Sequence, residues 1–396
     1  MENEVQIKPL LKRLFITALI IMVYVLGTHM PLPFADITKG YTEFIKDTPI
    51  SIMGMMSGAD FLRLSIFSIG LNPMMIAMML IQLLMMTKAF GFDALPTQQI
   101  EIIQQVMILV FAILQSTVFT LGLHLTAHPY ENFIVIVVLV AGSMLVNWMS
   151  VMNIKFGIGG TMPIILINIL TRSVPSLITA IQNIMDVPHF SIYIIVMIVV
   201  TLLLIIFWNA FSHAYYPLKT INTALDSYSD PIIIPLGLNM GAMMTYMMGM
   251  AILSLPTLLA AYFSANSIFN NVLFQAIVST ILAFALFYFF TFMQFNPKEQ
   301  AKSLRNSGAY ILGIRPNLPT QKYIRKLLWI ITFPGACLTA IQLTFGLMGM
   351  QLLGDYAGFA ILPMNAVMVT MFMNNFKDQI TILLFPHKYN KLQKEV

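Results

Sequence analysis

The sequence predicts an all-α polytopic membrane protein, and three observations carry that prediction. Hydrophobic residues make up 58% of the chain and charged residues only 9%, against about a quarter charged in soluble domains. The apolar residues gather into ten stretches, each near the ~20 residues that a bilayer crossing requires. The basic residues fall almost entirely on one alternating set of the segments between those stretches.

The ten expected spans lie near 14–30, 71–87, 102–124, 132–152, 161–179, 191–211, 239–263, 272–295, 327–349 and 357–376. Lys8, Lys12 and Arg13 precede the first apolar run as they would in a signal peptide. No small-residue cleavage site follows and further spans do, so the run reads as a retained first span. Gln104, Gln105 and Gln115 make the third span polar in places, and Pro163, Asn168, Arg172 and Pro175 crowd the short fifth. Pro334 and Pro363 fall within the ninth and tenth. No soluble domain of any size fits between these runs, so the chain reads as a single membrane domain. The one cysteine, Cys337, excludes an intramolecular disulfide.

Charge sets the expected orientation. With the N-terminus in the cytoplasm, the inside segments carry all but four of the 21 basic residues, the exceptions being Lys39, Lys46, Arg63 and Arg172. That is the bias of the positive-inside rule, and it places both termini in the cytoplasm. Arg172 is the one intramembrane charge. It either snorkels to the outer interface or lines a wet vestibule.

The stretch from Ser51 to Lys88 is the least ordinary. Leu71 to Met86 is apolar enough to cross a membrane, whereas Ser51 to Gly70 is interrupted by Gly54, Ser57, Gly58, Asp60, Arg63 and Ser65. Gly70-Leu71-Asn72-Pro73 separates the two, and a proline with its preceding residue disfavours helix there. Broken backbone at membrane depth is tolerated only where protein or an aqueous cavity satisfies its polar groups. The stretch therefore reads either as a short half-helix that dips into a cavity, or as an external loop before a proline-started helix.

The largest inside segment, 296–326, has structure of its own. Asn296-Pro297-Lys298-Glu299 supplies a cap, a proline at the first helical position and a capping-box acid. Gly308 ends that helix, Gly313-Ile314-Arg315-Pro316-Asn317 makes a turn, and Pro319-Thr320 opens a helix running into span nine. Lys322, Arg325 and Lys326 share one face of that helix by their spacing. Seven basic residues stand against the single acid Glu299. The charge serves either as an anchor beside anionic lipid or as a docking face for a protein.

Several chemistries are absent. No Gly-rich loop ends in Gly-Lys-Ser/Thr, and neither His-Glu-x-x-His nor Gly-x-Ser-x-Gly occurs. No cofactor, metal, catalytic residue or nucleic-acid partner is expected. Ion-coupled carriers bury an acid within a span, but the 16 acids here lie in loops, tails or span margins, Asp60 coming nearest to an exception.

Six motifs together resemble the SecY translocon family. Ser57-Gly58-Ala59 and Ser65-Ile66-Phe67-Ser68-Ile69-Gly70-Leu71-Asn72-Pro73 resemble its plug and second helix. Gly27-Thr28-His29-Met30-Pro31-Leu32-Pro33 is similar to the end of its first helix, and Gly157-Ile158-Gly159-Gly160 to its glycine turn before helix five. Pro235-Leu236-Gly237-Leu238-Asn239-Met240-Gly241 with Leu255-Pro256 resembles helix seven. Asn296-Pro297-Lys298-Glu299 is similar to the start of its large cytosolic loop, and Gly313-Ile314-Arg315-Pro316, Pro319-Thr320 and Tyr323 to the rest of it.

The resemblance implies two pseudo-symmetric halves of five spans, residues 1–190 and 191–376, with a cytosolic tail at 377–396, around an hourglass pore. It implies a re-entrant plug helix within about 51–69, formed by Met53, Gly54, Met55, Met56, Ser57, Gly58, Ala59, Asp60, Phe61, Leu62, Arg63, Leu64, Ser65, Ile66 and Phe67. Spans two, three, seven and eight would form a gate opening sideways to lipid. The constriction ring would fall on Leu71, Met75, Met162, Leu166, Met247 and Met368. An apolar constriction resists ion flow by dewetting, and methionine adapts to irregular shapes. Arg315, Lys322, Arg325 and Lys326 would engage a motor.

One departure narrows the resemblance. The loop between spans six and seven, long and basic in housekeeping SecY, here holds Lys219 against Asp226 and Asp230. This resembles the accessory SecY of Gram-positive bacteria. The resemblance then implies a protein-conducting channel in the plasma membrane that works post-translationally. Its partners would be an accessory SecA-type motor ATPase, small Sec or accessory-Sec membrane subunits, membrane lipids, and exported preproteins such as serine-rich glycosylated adhesins. Two other classes stay open: a secondary transporter of a small solute, for which broken helices are also typical, and a non-conducting membrane scaffold.

The charge bias predicts that Lys155, Arg315 and both termini face the cytoplasm. Impermeant thiol labelling of single-cysteine variants in whole cells, with Cys337 replaced, should leave a cysteine at Arg315 unlabelled until the cells are opened. Labelling there from outside would reverse the orientation.

Overall fold

The computed structural model describes residues 7–34, 64–87, 91, 95–122, 128–185, 190–222, 232–249, 272–352 and 357–384. Six helices come first: α1 (Ile7–Thr28), α2 (Asn72–Thr87), α3 (Thr97–Gly122), α4 (Pro129–Phe156), α5 (Met162–Met185) and α6 (Phe190–His213). A hairpin of β1 (Tyr215–Asn222) and β2 (Ile232–Gly237) follows. The short α7 (Ala242–Met244) then widens into a π-turn, Thr245–Gly249. The remainder comprises α8 (Val272–Gln294), α9 (Pro297–Asn306), β3 (Ala309–Ile311), α10 (Leu318–Leu352) and α11 (Ala357–Leu384).

Among the described residues, 7 helices are long and apolar enough to cross a membrane, and α2 is a shorter apolar helix. With α11 and the start of span seven, this order is consistent with ten spans. Prolines 175, 334 and 363 lie inside continuous helices, as packed neighbours in a membrane permit. Helix α6 shows the opposite extreme of packing: along it only Trp208 is buried. Of Arg172, only its place in α5 is described.

The break before α2 is present. Gly70 adopts φ 54°, in the left-handed region, and residues 64–71 are non-helical. They are not an external loop, because Leu64, Ile69 and Leu71 are buried. Their polar groups are answered internally. Leu32 N–H donates to the Leu64 carbonyl at 2.8 Å and Ile66 N–H to the Met30 carbonyl at 3.2 Å, pairing the segment antiparallel to the end of α1. The Ser65 N–H donates to Ser68 Oγ at 2.8 Å, and that hydroxyl donates back to the Ser65 carbonyl at 2.7 Å. Ser143 Oγ on α4 donates to the Gly70 carbonyl at 3.1 Å. Beside it Gly142 lets α4 close on the segment, since a Cβ there would collide with the Ile66 carbonyl.

The expected loop between spans six and seven is in fact an antiparallel hairpin, with Tyr215 opposite Gly237 and Thr220 opposite Ile232. Its partner comes from the other large connection: β1 also pairs with β3, Thr220 opposite Ile311 and Asn222 opposite Ala309. A three-residue strand carries no readable period of its own, and its pairing partner is distant in sequence. The sheet covers a separate small core of Leu218, Leu236, Phe295, Leu304, Ala309, Ile311, Ile324 and Leu328. Beneath it α10 runs unbroken for 35 residues, about 52 Å, which exceeds the ~30 Å hydrocarbon thickness. Its first turns therefore project beyond the membrane.

Gly142→Val should force the 64–71 segment out of place and cost about 2–3 kcal/mol. Ser143→Ala removes one hydrogen bond and should cost ~1 kcal/mol. Thermal unfolding in detergent, followed by reaction of a thiol dye with Cys337, should rank Gly142→Val below Ser143→Ala below wild type.

Candidate functional site

The six residues expected to form a constriction all belong to the extended apolar core of the helices. Leu71, Met75, Met247 and Met368 are buried in one apolar cluster, and the half-buried Met162 and Leu166 pack against it. Five of the six sit at or after a local irregularity or a helix start, and Leu166 follows Met162 by one turn of α5. Leu71 and Met75 follow the Gly70 break, and Met162 opens α5 after the glycine turn. Met247 sits in the π-turn. Met368 is reached after Pro363 within α11. Sequence reasoning missed Met364 and Met371, buried in the same cluster. With Met368 they form a methionine stripe spaced by four and three along one face of α11, the signal by which they are recognisable.

Of the segment expected to plug the pore, Met53 to Arg63 lie outside the described residues. Leu64, Ser65, Ile66 and Phe67 form its non-helical, anchored end. The Phe67 ring stacks on Tyr24 with centroids 5.7 Å apart and planes within 6°. Gly27 makes room for it, because a Cβ there would collide with that ring.

The glycine turn before α5 is built by one buried amide. Thr17 Oγ1 donates to Asn153 Oδ1 at 2.8 Å, and Asn153 Nδ2 donates to the carbonyls of Ile158 and Gly160 at 3.0 and 2.7 Å. The Ile158 N–H returns to Thr17 Oγ1 at 2.8 Å, and Gly159 N–H donates to Gln379 Oε1 of α11 at 2.7 Å. Gly159 needs its positive φ of 83°, and a Cβ there would strike the Phe376 ring. A cavity of about 450 Å³ opens beside this turn, lined by Arg13, Asn153 and Gln379 and by the apolar Ile154, Met162, Ile382 and Leu383. A second, of about 220 Å³, is lined by Asn239, Asn374, Asn375, Asp378 and Met371. Both border α11, the first at Gln379, Ile382 and Leu383 and the second at Met371, Asn374, Asn375 and Asp378.

The basic projection is pre-shaped. Asn296 caps α9 by accepting from the Lys298 N–H at 3.0 Å. Gly313 and Asn317 take positive φ values of 78° and 83°, and Thr320 Oγ1 donates to the Arg315 carbonyl at 2.9 Å. Asn317 and Thr320 thus join Gly313 and Pro316 in holding the exposed Arg315. Lys322, Arg325 and Lys326 are exposed on α10, while Ile324 and Leu328 on the same helix are fully buried in the sheet core.

Residues 65–373 match the family model for SecY. The chain is 48% identical over 385 residues to the accessory Sec system protein translocase subunit SecY2 of Lactobacillus johnsonii, covering 97% of this chain and 98% of that one. It is 26% identical to the SecY2 of Staphylococcus carnosus over 84% of this chain and 91% of its relative. In fold it is similar to a solved protein-conducting channel, with a TM-score of 0.58 at 14% identity over 98% of this chain and 95% of the other. It is also similar to Sec61 in a canine ribosome–channel complex, with a TM-score of 0.56 at 14% identity over 98% and 95% of the two chains. By the family match, the near-complete alignment to a relative and the shared fold, this chain belongs to the SecY family.

Proposed function

We propose that the chain is the protein-conducting channel of an accessory Sec translocase in the plasma membrane of a Gram-positive bacterium. It exports proteins post-translationally, including glycosylated ones, driven by a partner SecA-type ATPase. The observation that supports this reading is the apolar core shared by Leu71, Met75, Met162, Leu166, Met247 and Met368, with two cavities reaching its methionines Met162 and Met371. An apolar plane at the end of a wet approach blocks ions until a chain fills it. Residues 1–190 and 191–376 act as the two halves, with both termini cytoplasmic. The segment from Met53 to Phe67 acts as a plug that seals the far side.

Work must come from the partner, and the charged projection is the attachment point. Arg315 is exposed in a turn braced by Thr320 and the left-handed Asn317. A guanidinium there offers a bidentate contact to a carboxylate that lysine does not reproduce. The sheet stitching the two connections together gives that contact a stiff base.

Two measurements test this. Deleting residues 53–63, or replacing Met75 or Met247 with serine, should raise resting ion conductance in planar bilayers while insertion stays normal. Unchanged conductance in all three would favour a scaffold, and saturable uptake of a small solute without a motor would favour a transporter. Separately, Arg315→Glu should weaken binding of the purified accessory motor at least about tenfold and abolish export. Arg315→Lys should keep part of the activity, and Lys322, Arg325 or Lys326 substitutions should each cost less. Binding should fall as salt rises. If Arg315→Glu binds and exports like wild type, the projection only anchors topology.

A further inference from the structure

A polar relay, buried at Tyr246 and half-buried at Gln342, joins three spans beside the apolar cluster. The Tyr246 hydroxyl donates to Gln342 Oε1 at 2.7 Å, and Gln342 Nε2 donates to the Pro363 carbonyl at 2.8 Å. The amide has one workable orientation, because a flipped group would set its oxygen against the Pro363 oxygen. Each end of the relay abuts the constriction: Tyr246 precedes Met247, and Pro363 precedes Met364 and Met368. We propose that Tyr246 and Gln342 are positioning residues that keep the channel shut by fixing Met247 against the methionine stripe of α11. The inference rests on the channel reading above.

Three features favour this role over simple packing. Met247 lies in a π-turn, Thr245–Gly249, where the regular helical ladder is locally widened and no longer dictates side-chain direction. Something outside α7 must therefore set it. Tyr246 is fully buried, with Trp208 edge-on to it at 6.4 Å between ring centroids. On another side, Gly335 brings α10 against the chain just before α7, because a Cβ there would collide with the Leu238 carbonyl. An interhelical hydrogen bond in lipid adds little stability, but it is directional. Phenylalanine would fill the Tyr246 site equally well, so the hydroxyl serves geometry more than burial.

The test uses the purified full chain in planar bilayers, with Met247→Ser as reference. Tyr246→Phe and Gln342→Met should each raise resting conductance about threefold or more, the shift one such bond can bias, with thermal unfolding in detergent nearly unchanged. Adding Gln342→Met to Met247→Ser should raise conductance no further, because both act on the same residue. If Met247→Ser leaks while both relay variants stay as tight as wild type, the relay is packing alone and the channel reading stands. Additive leak in the double variant, or leak that appears only with a large loss of thermal stability, would likewise overturn the proposal. If Met247→Ser does not leak either, the constriction fails and this inference with it.

Discussion

Backbone polar groups have no water to turn to inside a bilayer, and the middle of this molecule is arranged around eight residues that break that constraint. Residues 64–71 run non-helically at buried depth. Each unsatisfied group there would cost several kcal/mol. The pairing with Met30 and Leu32, the Ser65–Ser68 exchange and the Ser143 hydroxyl on the Gly70 carbonyl answer that cost from within the protein. Because those partners sit on α4 and at the end of α1, the break also locks these elements together. It leaves Leu71 and Met75 at the start of α2, aimed into the central cluster.

Close approach supplies the next level of order. Gly142 admits the Ile66 carbonyl, and Gly241 and Gly335 bring the start of span seven against α8 and α10. Helix α11 is the hub of what results, packing against α1, α5, α6 and α10. It carries the methionine stripe on one side and two polar side chains toward the N-terminal half. Gln379 accepts from Gly159 at 2.7 Å, and Asn365 donates to Ser173 at 2.6 Å. The two proposed halves are thus bonded directly along α5 and α11. Contact between α2 and α8, on the side proposed to open, is sparse by comparison.

The charged projection obeys ordinary soluble-protein physics. Its core of leucines, isoleucines, one phenylalanine and one alanine is separate from the main helical cluster and is capped by a sheet whose strands come from two different connections. The hairpin between spans six and seven is poor in charge but is not idle. It supplies β1, the strand against which β3 is formed just ahead of Arg315. Charge is left to the outward faces of α9 and α10, where Lys298, Lys302, Arg305, Lys322, Arg325 and Lys326 are exposed.

By itself the sequence determined the class of the molecule, the order of its spans, the break before Asn72 and the cap at Asn296. Each of these rests on local physics: about twenty apolar residues cross a bilayer, proline removes a donor, and asparagine accepts from the next turn's N–H. The glycine turn and the bend at Gly313 were legible for the same reason, since a left-handed backbone position selects glycine within a few residues of chain. Only the tertiary structure decided what those local features meet. Nothing in Thr17 announces Asn153, 136 positions away, and nothing in Ala309-Tyr310-Ile311 announces a strand until Thr220 lies beside it. Nor could composition separate Met364 and Met371 from the rest of 32 methionines. Their role comes from which face of α11 turns inward, and that depends on packing among helices brought together from the whole length of the chain.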